Sequence, residues 1–210
     1  LERGVREVER GGRGVHGGAR AKRGEDRRLP LQAMAEVYLL KRDFAPALEL
    51  YESLIRETPD SPKLWNERGV VLHQSGRSAD ALVSSRQAVE VDQKYALAWN
   101  NLGVMLVHQA DTEEAIEAFR TAIQLQPEFV AARLNLALLL FHLRRFQLSL
   151  EAYRQVLASE PDLALAWNGI GLVLVELKRF TDARNAFVRA VEADPNLAAA
   201  HYNLSFTLSN

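Results

Sequence analysis

Three histidines, a series of asparagines and one glycine-rich stretch are the residues of this sequence that could carry chemistry. His73, His108 and His142 recur at nearly even spacing, and three imidazoles on one surface would suit a divalent metal. A closed structural site would take a fourth protein ligand such as a carboxylate or thiolate. The chain has no cysteine, no His-Glu-x-x-His sequence, and no carboxylate at a matching spacing. The histidines therefore read as solvated side chains, and no metal is expected. Gly12, Gly14 and Gly17 spell G-x-G-x-x-G. A dinucleotide site needs that pattern after a strand and inside a βαβ unit, and no strand precedes it. No G-x-S-x-G elbow, phosphate loop or paired-carboxylate motif occurs. No cofactor and no enzymatic activity are expected.

The asparagines are more informative. Asn66, Asn100, Asn101, Asn135, Asn168 and Asn203 all fall in segments of helical period, where Asn is a mediocre residue. An Asn amide offers a donor and an acceptor together. That suits the N–H and C=O groups of a peptide running past it.

The elements that position these residues are counted out by a repeat. "AWNNLGVML" fills residues 98–106 and "AWNGIGLVL" fills 166–174, with weaker copies at 132–140 and 64–72. The period is 34 residues, which divides the chain into units 28–61, 62–95, 96–129, 130–163 and 164–197, and a sixth that begins at Ala198. Each unit holds two amphipathic segments of helical period, joined by a turn such as "HQSGRS" or "HQADTE". Asp43 and Asp111 stand where an N-cap belongs. Pro59, Pro127, Pro161 and Pro195 close four units, with Gln93 in the remaining place. Small residues recur at Ala35, Gly69, Gly103, Ala137, Gly171 and Ser205, and again at Ala47, Ala81, Ala115, Ser149 and Ala183. They allow the two helices of a unit to approach closely, with aromatic residues filling the wedge around the crossing. The expected fold is all-α, a right-handed α-solenoid of five helix–turn–helix repeats plus a sixth first helix.

Residues 1–27 differ. They hold seven of the twelve glycines, eight Arg or Lys against five acids, and no aromatic residue. That composition cannot offset the entropy of ordering, so a flexible arm is expected. Arg3, Arg6, Arg10, Arg13, Arg20, Lys22 and Arg23 could meet phosphates, but the five acids and the lack of stacking aromatics argue against nucleic acid. The net charge of −1 gives no bulk attraction for polyanions. No apolar run approaches the ~20 residues of a membrane helix, and the first 27 residues contain no signal-peptide core. With cysteine absent, a cytoplasmic location and no membrane partner are expected. The chain starts without Met and its sixth unit is unfinished, which fits a fragment. Leu204 and Leu208 would then face water unless covered, and self-association through that open end is an expectation.

The repeat resembles the tetratricopeptide repeat, whose pattern is W-x2-L-G-x2-Y, then A-x3-F, then P. The third unit supplies Trp99, Leu102, Gly103, Leu106, Ala115, Phe119 and Pro127, and the fifth supplies Trp167, Ile170, Gly171, Leu174, Ala183, Phe187 and Pro195. The fourth departs with Arg133 at the Trp place and Ser149 at the first Ala place; the first has Leu31 for Trp. Trp65, Trp99 and Trp167 thus read as scaffold. The resemblance implies that first helices line a concave groove. It implies a peptide-binding set of Asn66, Val70, Asn100, Asn101, Val104, Asn135, Leu138, Phe141, Asn168, Leu172 and Asn203, an amide row beside an apolar strip. The row is similar to the asparagine ladder in the superhelical repeats of O-linked N-acetylglucosamine transferase, here interrupted by Glu67 and Gly169. Two roles stand open for it: contact with a ligand, or bonds across the interhelical groove. The cations of a carboxylate clamp are missing, since that register holds Asn100, Val104, Asn135 and Leu165. Five acids against one basic residue make the third unit's outer surface acidic, and a solvated exterior is the expected role. The implied function is a scaffold or adaptor that binds an extended peptide or short helix of a protein partner. The alternative is the substrate-recognition portion of a larger enzyme such as a glycosyltransferase.

Overall fold

The computed structural model describes residues 30–208. The glycine-rich stretch 1–27, with its Gly12, Gly14 and Gly17 pattern, lies outside the described residues. Among the described residues there are eleven helices and no strand. Helix α1 covers 30–40, and α2 is Phe44–Glu57, α3 Pro62–Gln74, α4 Ser78–Val91, α5 Ala96–His108 and α6 Thr112–Leu125. Helices α7 Val130–His142, α8 Phe146–Ser159, α9 Ala164–Glu176, α10 Phe180–Ala193 and α11 Ala198–Leu208 follow. First helices begin at residues 62, 96, 130, 164 and 198, one every 34 residues.

From α2 onward each helix packs on the next along the chain, a solenoid arrangement. First helices also touch the first helices of neighbouring units: α3 meets α5, α5 meets α7, α7 meets α9 and α9 meets α11. They form the inner layer. The crossing within a unit is close for the reason the small residues suggest. A Cβ built on Gly103 would lie 2.6 Å from the Phe119 ring, and one on Gly171 would lie 2.4 Å from Phe187. Both rings are fully buried, each contributing about 1.5–3 kcal/mol of apolar burial. The fourth unit solves the problem differently. Ala137 occupies the glycine place, and the Tyr153 ring lies instead against Gly169 of the next unit, 2.3 Å from a Cβ built there. Burial pushes the Tyr153 phenol up to about 12. Ser149, at the departed alanine place, is buried and donates its hydroxyl to the Ala137 carbonyl at 2.8 Å.

Turns within units share one geometry. Arg42, Gly76, Ala110, Arg144 and Lys178 all have positive φ, between 57° and 82°. In each, the following N–H donates five residues back: Asp43 to Tyr38, Arg77 to Leu72, Asp111 to Leu106, Arg145 to Leu140 and Arg179 to Leu174. These are Schellman closures with a left-handed residue at C′. Asp43 and Asp111 do occupy N-cap positions, but neither side chain makes a capping bond. The backbone closure, not the carboxylate, organises the helix start.

Turns between units are clamped by the tryptophans. The indole N–H of Trp65 donates to the Pro59 carbonyl at 2.8 Å, Trp99 to Gln93 at 2.9 Å and Trp167 to Pro161 at 2.7 Å. A ring nitrogen of His201 sits 2.8 Å from the Pro195 carbonyl in the same place. Arg133 breaks the series. It reaches the Gln155 carbonyl at 3.5 Å, and its Nε is buried without a partner.

Candidate functional site

The inner layer carries the amides in pairs. Position five of one first helix faces position six of the next. Asn101 donates through Nδ2 to Asn66 Oδ1 at 2.9 Å, Asn135 to Asn100 at 2.9 Å and Asn203 to Asn168 at 2.9 Å. Asn100 in turn donates to Asn101 at 3.2 Å. A single relay therefore runs Asn135 to Asn100 to Asn101 to Asn66 across α7, α5 and α3. Asn66 and Asn100 are buried, with 3% and 6% of their surface exposed; the other four are half-buried. The amides bond one another across the interhelical groove, and the two open roles of the row must be weighed against that fact. Asn101 accepts as well as donates within the relay, and Asn135 keeps Oδ1 outside any protein bond among the described residues. The relay stops at α7, because Leu134 and Gly169 occupy the next two amide places and Tyr153 fills the space beside Gly169.

Glu67 interrupts the row at its other end. Its carboxylate is 3.4 Å from Lys63, and one of its oxygens is buried without a partner. Burial raises its pKa, against the lowering effect of Lys63, with Glu36 adding to the rise. The Tyr51 phenol nearby is raised by its own burial and by Glu67.

The apolar strip is uneven. Val70, Val104, Phe141 and Leu172 are half-buried, and Leu138 is exposed. Three of the predicted residues come together: Val104 on α5 and Asn135 and Leu138 on α7, with Leu139 and Leu143, line a pocket of about 410 Å³. That is the size range of ligand pockets, ~300–1,000 Å³. Asn66, Val70, Asn168, Leu172 and Asn203 stand elsewhere on the inner layer, and Phe141 does not line this pocket.

His108 and His142 border the same pocket. His73 lies one helix away, its ring centroid 4.5 Å from that of His108. Its Nδ1 is buried without a partner. Burial first, and His108 second, lower the His73 pKa. No group of three metal-ligating side chains occurs among the described residues. The spacing of the histidines was visible in the sequence; their contact was not, because it depends on the offset between neighbouring helices.

The acidic surface of the third unit is neutralised from both sides. Arg86 of α4 holds Glu114 in a two-pronged pair, the longer bond 2.7 Å, and Arg145 from the turn before α8 pairs with Glu113. These pairs staple neighbouring units and are in keeping with a solvated exterior. No helix of the described residues is long and apolar enough to cross a membrane.

Comparison with known proteins agrees with this geometry. A model of the tetratricopeptide repeat matches residues 33–85, 86–128, 109–163 and 134–198. No curated protein matches the sequence. Among solved structures, MamA superposes with a TM-score of 0.70 at 24% identity, covering 78% of this chain and 96% of MamA. YrrB, described as a repeat protein of this family with an unusual peptide-binding site, superposes with a TM-score of 0.68 at 16% identity, covering 88% and 95%. A tetratricopeptide repeat protein from Parabacteroides merdae gives 0.74 at 18% identity, covering 87% and 73%. At these identities the likeness concerns the fold. The repeat model, by contrast, spans most of the sequence, and the chain belongs to the tetratricopeptide repeat family.

Proposed function

We propose that this chain is a protein-interaction scaffold whose inner face holds an extended segment of a partner protein across α5 and α7. The observation that carries the reading is the apolar pocket between those helices, where Leu138 is 47% exposed and Val107 38% exposed. Exposed apolar groups gathered in a concavity are a usual sign of a binding site. The amides play two parts in this reading. Asn66, Asn100 and Asn101 hold adjacent first helices in register, and Asn135, the open end of the relay, accepts a backbone N–H of the ligand through Oδ1. The ligand-contact role thus narrows from a ladder to its end. The peptide-binding site described for YrrB is in keeping with a groove of this fold. A random decapeptide library displayed on phage and selected on the full chain tests the proposal. Peptides should be enriched at least tenfold, and Leu138→Arg should abolish that enrichment while leaving the thermal melt unchanged. Enrichment indifferent to Leu138→Arg would place any binding elsewhere and end the proposal.

A further inference from the structure

We propose that the outer face of α1 is a self-association surface. A second copy of this chain docks there through its own α1, antiparallel, about a two-fold axis at Val37. The surface is separate from the groove between α5 and α7. Its first sign is an exposure that the repeat leaves unexplained. Position ten of a unit is buried in Val71, Met105, Leu139 and Val173, none more than 5% exposed. In the first unit that position is Val37, 47% exposed. Position seven is buried in Leu102 and Ile170, whereas Met34 there is 46% exposed. In the later units the preceding second helix lies against the first helix, as α2 does on α3 and α4 on α5. Among the described residues no helix precedes α1. Leu40, one turn beyond Val37, is 84% exposed. Leu31, Ala35, Tyr38 and Leu39 take the inward side of α1 and join the first core cluster. Met34, Val37 and Leu40 are left as an apolar stripe, the kind of patch that marks an interaction surface.

The order of residues along the stripe selects the occupant. Met34 and Leu40 stand three residues on either side of Val37. In an antiparallel pair centred on Val37, that residue meets its own copy, and Met34 meets the partner's Leu40 twice over. Met34 also lines a cleft of about 520 Å³ with Tyr38, Pro46 and Leu50, and the partner's Leu40 fills it. The charges at that cleft leave room for an apolar group. Glu49 and Arg56 are of opposite sign, and Glu52 is held by Arg68 at 3.3 Å. Beside the stripe, Glu36 lies before its centre and Lys41 after it, both exposed. Antiparallel docking brings the partner's Lys41 within a turn of Glu36, while parallel docking would set like charges together. Residues 1–27 are the other occupant within reach. Covering the face with them would mean ordering a segment that holds seven glycines, whereas a second α1 arrives folded. A two-fold contact uses the same patch on both copies and closes at two.

Sedimentation equilibrium of the full chain, over roughly a hundredfold range of concentration, tests the inference. A monomer–dimer equilibrium is expected. Val37→Arg sets two cations face to face on the axis. It should raise the dimer dissociation constant roughly tenfold or more and leave the circular dichroism spectrum unchanged. Glu36→Lys should weaken the dimer and the further change Lys41→Glu should restore it, as the antiparallel pairing requires. The chain has no cysteine, so Val37→Cys should give a disulfide-linked dimer under mild oxidation. Val83→Cys, at an exposed place on α4, should give far less. A chain that stays monomeric at every concentration, or a dimer indifferent to Val37→Arg, would overturn the inference. So would a chain that dimerises only after residues 1–27 are removed, because its own N-terminal segment would then be the cover.

Discussion

At the scale of single residues, the tryptophans and asparagines are bolts between units. An indole N–H to a carbonyl contributes about 0.5–1.5 kcal/mol net. Trp99→Phe keeps the ring and removes the bond to Gln93, so it should lower stability by about that amount in urea denaturation. Arg133→Trp should do the opposite. It replaces a buried, unpartnered Nε with an indole placed to reach Pro127, as Trp99 and Trp167 reach their own inter-unit turns. An unchanged midpoint for both variants would show the clamp to be incidental. The amides make a firmer case. Replacing Asn101 and Asn135 together by Ala gains a little helix propensity. It leaves Asn66 Oδ1 and Asn100 Oδ1 buried without donors, at about 1–3 kcal/mol for each group. The double variant should melt clearly below the parent; a parent-like melt would mean that water replaces the relay without cost. The sequence showed that a row of helical Asn wanted explaining. It did not show which amide bonds which, because positions five and six look alike until the offset between neighbouring helices is known.

At the scale of elements, the left-handed turn residue and the glycine crossing decide the shape of each unit. A non-glycine residue with positive φ costs roughly 1–2 kcal/mol against its usual region. Only Gly76 among the five turn residues avoids that cost. Gly76→Ala should therefore destabilise by about 1 kcal/mol, while Ala110→Gly should gain roughly 0.5 kcal/mol after its own chain-entropy cost. Equal effects of opposite backbone strain would not survive if both changes proved neutral by chemical denaturation. The glycine crossing is less forgiving. Gly103→Leu drives a side chain into a fully buried Phe119. Overpacking of this kind costs about 1–3 kcal/mol, and α4 and α7 lose a well-placed neighbour as well. Circular dichroism melts should show a marked loss, and a parent-like melt would mean that the ring has another place to go. Recurring small residues made this crossing legible in the sequence. The turn was not, since Arg, Ala and Lys give no sign of positive φ, and the expected aspartate caps prove to be backbone closures.

At the scale of the molecule, units add along one axis while chemistry collects on one layer. The outer layer ties units together through ion pairs such as Arg86 with Glu114. The inner layer ties them through amides and then, between α5 and α7, leaves an apolar concavity with an imidazole rim. That division was partly readable: the apolar strip and the amide row follow from the repeat register, whereas their merging into one pocket depends on how far α5 and α7 stand apart. Mapping backbone amide shifts by NMR, during titration of the full chain with a selected decapeptide, tests the central claim most directly. The account predicts that the largest shifts cluster on α5 and α7, around Val104, Asn135 and Leu138, with α4, α6 and α8 little changed outside the pocket wall. Largest shifts on the second helices instead, with α5 and α7 silent, would contradict it.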